Sequence, residues 1–146
     1  MNALADEFST NGFVILDEAI SLSELETALE RINSINFRKA GTRNVLSFPW
    51  CQNIARSLKM NPAITPLLPC GAVAVQCTYF EKSVDQNWLV ALHRDYSIPV
   101  KARISAKDWS GWSEKEGCVY GRLPEFVLES LVTIRVHLDE NTQKNG

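Results

Sequence analysis

The sequence predicts a single domain, spanning residues 1–146, that opens with helices and continues as a mainly β structure. Three stretches carry that expectation. Ser21-Leu22-Ser23-Glu24 has the form of a capping box, and Leu22, Leu25, Leu29 and Ile32 lie on the helical face behind it. Ala72 to Phe80 is rich in β-branched and aromatic residues, which suit a pleated, half-buried strand. Leu131 to Leu138 alternates with a period of two, setting Val132, Ile134, Val136 and Leu138 against Thr133, Arg135, His137 and Asp139.

Composition narrows the function classes. A chain of 146 residues, 45% apolar and 22% charged, has the balance of a globular domain with a real core. Its formal net charge of −2 supplies no basic field, so neither nucleic acid nor an anionic membrane surface is an expected partner. Asp6 and Glu7 stand where a signal peptide carries basic residues, and no stretch approaches a membrane span; a cytoplasmic location is the expectation. Cys51, Cys70, Cys77 and Cys118 show no Cys-x-x-Cys spacing and read as reduced thiols.

In chain order, Leu4 and Phe8 are one helical turn apart and Asn11-Gly12 forms a stop, which predicts a short first helix. Phe13-Val14-Ile15-Leu16 reads as a buried strand. The capped helix covers about Leu22 to Asn33. Gly41 to Leu46 reads as a loop whose Arg43 either approaches an anion or is simply solvated. Ile54, Ala55 and Leu58 predict a further helix that ends before Asn61-Pro62. Pro62, Pro66 and Pro69 then break up a short helical segment. Lys101 to Arg122 reads as a long irregular stretch around Trp109, Gly111 and Trp112, and Pro124 to Ser130 as a short helix or turn.

The chemistry centres on His93-Arg94-Asp95. On a strand, residues i and i+2 share a face, so the His93 imidazole and the Asp95 carboxylate would converge while Leu92 and Arg94 face away. One imidazole and one carboxylate are two of the three ligands of the facial triad that holds non-haem Fe(II).

The run from Gln76 through Tyr79-Phe80-Glu81-Lys82, Asn87-Trp88, His93-Arg94-Asp95, Ser97-Ile98-Pro99-Val100, Gly111-Trp112 and Arg135-Val136-His137-Leu138-Asp139 resembles the phytanoyl-CoA dioxygenase family. The resemblance begins at Phe8 and covers nearly the whole chain. It implies a double-stranded β-helix, that is, a jelly-roll or cupin-like core. It also implies an Fe(II)- and 2-oxoglutarate-dependent dioxygenase that hydroxylates a small-molecule substrate while 2-oxoglutarate is decarboxylated to succinate. His93 and Asp95 would be metal ligands. Gln76 would either line the 2-oxoglutarate pocket or tie down a neighbouring backbone. Lys82 would either pair with a co-substrate carboxylate or stand at the surface. Arg135 is the candidate for an anion contact. Of Trp109 and Trp112, one would line the substrate entrance, or both would cover the core as a lid.

In that family a segment like Asn145-Gly146 precedes a further strand and a turn carrying the third iron ligand, with a 2-oxoglutarate-gripping Arg beyond. The expectation is therefore a catalytic domain whose C-terminal strands are missing. The third ligand stays open between a downstream His and His137. An unpaired strand edge would then invite self-association. Two other classes remain beside the oxygenase: a non-catalytic remnant, and a metal-binding β-sandwich module without redox chemistry.

Overall fold

A computed structural model describes residues 3–35, 41–82, 93, 95–105 and 107–140. The chain divides into two compact units, Met1–Asn36 with Ser47–Ala74, and Phe37–Leu46 with Val75–Gly146.

The first unit is helical. Helix α1 (Ala3–Asn11) ends where Gly12 takes φ +77° and its N–H bonds back to the Phe8 carbonyl at 2.9 Å. Helix α2 (Leu22–Ser34) has its capping box in place: Ser21 Oγ accepts from the Glu24 amide, and Glu24 Oε2 accepts from the Ser21 amide at 3.0 Å. Ala28 and Ile32 are buried and Leu25 and Leu29 half-buried, as the periodicity predicts, whereas Leu22 is exposed. Helical side chains lean toward the N-terminus, so Leu22 at the first position reaches past the packed turns.

Helix α3 (Pro49–Met60) starts with Pro at its first position, where a missing N–H costs nothing. Asn61 closes it. Asn61 Nδ2 donates to the Ala19 carbonyl at 3.0 Å while Asn61 Oδ1 accepts from the Ala63 amide at 2.9 Å. A 3-10 turn at Thr65–Leu67 follows, as the proline spacing predicts, and it packs on α1 and α3. The buried residues of this unit are Ala28, Ile32, Cys51, Leu58 and Ile64.

Phe13 to Leu16 corrects the reading of a buried strand. The stretch is unpaired, with Phe13 60% and Ile15 78% exposed. No strand runs beside it among the described residues, so the apolar run has neither a ladder nor a second face to bury.

The second unit holds the sheets. Strand β1 (Gly41–Thr42) pairs antiparallel with β2 (Tyr79–Phe80), Gly41 opposite Phe80 and Thr42 opposite Tyr79. A Cβ at Gly41 would run into the Tyr79 carbonyl oxygen, so the close approach requires glycine. The strand expected over Ala72 to Phe80 is thus only two residues long, with an isolated bridge between Cys77 and Asn44. Val73 is 73% exposed.

Strands β3 (Ser97–Val100), β4 (Ser110–Lys115) and β5 (Cys118–Arg122) form an antiparallel sheet in the order β3-β5-β4. Two of these strands lie where irregular chain was expected. Glu116 (φ +52°) and Gly117 (φ +76°) make the two-residue turn that joins them, a backbone whose twist matches that of a hairpin. The register slips between Ser110 and Ser113, where Gly111 takes φ +59°, and this bulge interrupts the alternation that would have marked β4. Helix α4 (Glu125–Leu128) follows, and Val45, Tyr120, Leu123 and Leu128 are buried.

The stretch from Leu131 to Leu138 is unpaired despite its pattern, which corrects the second strand reading. Helix takes about 36% and strand about 17% of the described residues, so the protein is not mainly β. Alternation makes a stretch fit for a sheet, but a strand exists only where another backbone meets it. No helix among the described residues is long and apolar enough to cross a membrane.

Candidate functional site

The site is built on the start of β3. Ser97 pairs with Arg122, and the ladder runs one step further when the Leu123 amide donates to the Tyr96 carbonyl at 2.9 Å. There it stops. The next residue on that side is Pro124, which has no N–H to give. His93 and Asp95 therefore precede the strand rather than lie within it, a correction to the strand placement from which their convergence was argued.

They converge nonetheless. His93 Nε2 stands 3.7 Å from Asp95 Oδ1, with side chains 59% and 87% exposed. Two donors about 2.1 Å from one octahedral ion and at right angles to each other lie about 3.0 Å apart. A 3.7 Å separation is within a small side-chain adjustment of that arrangement. An imidazole nitrogen and a carboxylate oxygen are also the donor set a borderline divalent metal takes. The pair fits as two neighbouring ligands. Among the described residues, no group of three His, Cys, Asp or Glu side chains is gathered to hold an ion. His137 is exposed on the unpaired stretch.

Arg122 was not singled out by the sequence reading. Its guanidinium lies 5.2 Å from the centroid of the Tyr96 ring, beside the residue that follows Asp95 in the chain. A cation held over an aromatic face keeps its hydrogen-bond donors available at the ring's edge. Arg122 has no ion pair among the described residues. The clue in the sequence was the Glu116-Gly117 turn, which would have placed Arg122 at the end of a strand.

Trp109 and Trp112 are stacked, ring centroids 6.0 Å apart and planes 10° from parallel, and both are half-buried. Trp112 covers Gly121 of β5, where an added Cβ would lie 2.5 Å from the indole Cζ3. Gly121 is opposite Ile98. The pair therefore forms an aromatic cover on one part of the three-stranded sheet.

The other predicted residues are placed as follows. Gln76 donates through Nε2 to Thr78 Oγ1 at 2.8 Å, a bond to a side chain two residues on rather than to a neighbouring backbone. Lys82 is half-buried beyond the end of β2, and Arg135 is exposed on the unpaired stretch. Burial raises the Tyr79 phenol above its ordinary value, and the charges of Glu81 and Asp139 add to the effect. Asn87, Trp88 and Arg94 lie outside the described residues.

Arg43 meets the protein's own carboxylate. Glu116 Oε1 lies 3.4 Å from Arg43 Nη1, and Glu116 Oε2 accepts from the Thr42 hydroxyl at 2.6 Å and the Arg43 amide at 3.0 Å. The Thr42 hydroxyl, then the Arg43 amide, hold this carboxyl below the usual carboxylate range.

No family model matches the chain, and neither does any curated protein or solved structure.

Proposed function

We propose that this chain carries part of the site of an Fe(II)- and 2-oxoglutarate-dependent oxygenase, similar to the phytanoyl-CoA dioxygenases. The observation that carries the reading is the His93–Asp95 pair, 3.7 Å apart and just ahead of the first strand of an antiparallel sheet. A double-stranded β-helix core belongs to the same reading. Its support is the antiparallel β3-β5-β4 sheet and the strand-like pattern of Leu131 to Leu138.

His93 Nε2 and Asp95 Oδ1 would hold the iron as two of its ligands. Such a centre would supply the chemistry that hydroxylates an unactivated C–H bond of a small molecule, coupled to conversion of 2-oxoglutarate and dioxygen to succinate and carbon dioxide. Arg122, exposed like Arg135 but held over the Tyr96 ring, offers positive charge for a carboxylate approaching from that side. Trp109 and Trp112 give the sheet an apolar cover. A cytoplasmic setting suits the four cysteines, none of which is in a disulfide.

A second reading, a metal-binding module without redox chemistry, is favoured by the 87% exposure of Asp95. An open pair binds a divalent ion without sheltering a reactive intermediate from water.

One anaerobic titration with Fe(II) and 2-oxoglutarate tests both. The oxygenase reading expects a weak visible charge-transfer band that needs both additions and is lost in His93→Ala and Asp95→Ala. Fe(II) binding lost in those variants with no band in the parent chain supports the metal module. Fe(II) binding unchanged by either substitution overturns both.

A further inference from the structure

The stretch from Leu131 to Leu138 has the pattern of a strand and lacks what a strand needs. No backbone–backbone hydrogen bond engages residues 132–139 among the described residues, although the preceding Leu131 amide still bonds to Leu128. Burial nevertheless alternates from Arg135 onward: Val136 and Leu138 are half-buried while Arg135, His137 and Asp139 are exposed, whereas Ile134, nearer the start, is 41% exposed. One face is thus seated on the unit and the other meets water. The backbone donors and acceptors between them are open, which is the condition in which a sheet edge recruits another strand.

We infer that this stretch pairs antiparallel with the same stretch of a second copy of the chain, about a two-fold axis at His137. Charge complementarity selects both the partner and the register. In that register Arg135 of each copy faces Asp139 of the other, which gives two opposite-charge cross-strand pairs, and Val136 faces Leu138 on the apolar side. Centring the pair on Arg135 instead would set two guanidinium groups against each other. His137 meets its counterpart at the axis. The pairing uses main-chain hydrogen bonds for affinity and the alternate side chains for register. Neither His93 nor Asp95 takes part in the pairing.

The test is the mass of the full chain by light scattering and sedimentation, from low micromolar to several hundred micromolar. The expected result is a concentration-dependent dimer. Val136→Pro, which removes a ladder donor, should abolish it, and Arg135→Asp should weaken it about tenfold by turning two attractions into repulsions. Combining Arg135→Asp with Asp139→Arg should restore it. Far-UV circular dichroism of the Arg135 and Asp139 variants should match the parent, because those two side chains are exposed. A chain that stays monomeric across the range overturns the inference. A dimer indifferent to Arg135→Asp and Val136→Pro does so too, because association then runs through another surface.

Discussion

Glu116 Oε2 takes a hydrogen bond from the Thr42 hydroxyl at 2.6 Å and a second from the Arg43 amide at 3.0 Å, so a carboxylate on a hairpin turn fastens the segment that contains β1. Those donors favour the charged form and hold the carboxyl below its usual range. The sign follows from linkage: a group depressed in the folded state adds stability above its unfolded pKa and loses it as pH falls toward the folded value. Glu116→Gln should therefore destabilise the protein by about 1 kcal/mol at neutral pH. The difference from the parent should shrink below about pH 4.3. Urea melts at neutral and acid pH measure this; a constant difference at both would contradict it.

Glu24 obeys the same rule in the helical unit. The Ser21 amide, then the Ser57 hydroxyl, lower its pKa. Ser21→Ala should cost about 1 kcal/mol, the usual value of a lost N-cap. Ser57→Ala leaves the cap intact and should cost less. Because Glu24 is depressed, its stabilising contribution too is present above its unfolded pKa and fades on acidification.

Two glycines of the β4–β5 hairpin should fail for different reasons. At Gly117 a Cβ meets nothing within 4 Å, and only the φ of +76° resists it, so Gly117→Ala should cost about 1 kcal/mol. At Gly121 the backbone is ordinary but the Trp112 indole occupies the space. Gly121→Ala should cost about 1 to 3 kcal/mol and shift tryptophan fluorescence, because the indole must move off its stack with Trp109. An unchanged emission spectrum in the Gly121 variant would show that Trp112 does not cover the sheet.

The four thiols should react in order of exposure. Cys70 is exposed, Cys77 and Cys118 are intermediate, and Cys51 is buried. With a thiol reagent under native conditions Cys70 should label first and Cys51 last, at a rate set by opening of the helical unit. Mass mapping of the labelled sites at successive times would detect any other order.

The sequence by itself determined the features that depend on neighbours along the chain. The capping box at Ser21 and Glu24, the stop at Gly12 and the end of α3 at Asn61-Pro62 are each completed within a few residues, and all stand where their local chemistry predicts. The two-residue spacing of His93 and Asp95 belongs here too, since it keeps the imidazole and carboxylate within reach of one another.

The tertiary structure alone decided which strand-like runs became strands. Phe13 to Leu16, Ala72 to Phe80 and Leu131 to Leu138 all carry a strand's composition, yet only Tyr79–Phe80 joins a sheet, because pairing requires a distant backbone in register. Conversely, β4 and β5 arose from a stretch whose alternation is broken at Gly111. Register likewise set Arg122 against Tyr96, next in the chain to Asp95. Helices close their hydrogen bonds locally, whereas sheets close them across the fold, and that difference in range separates what could be read from what had to be seen.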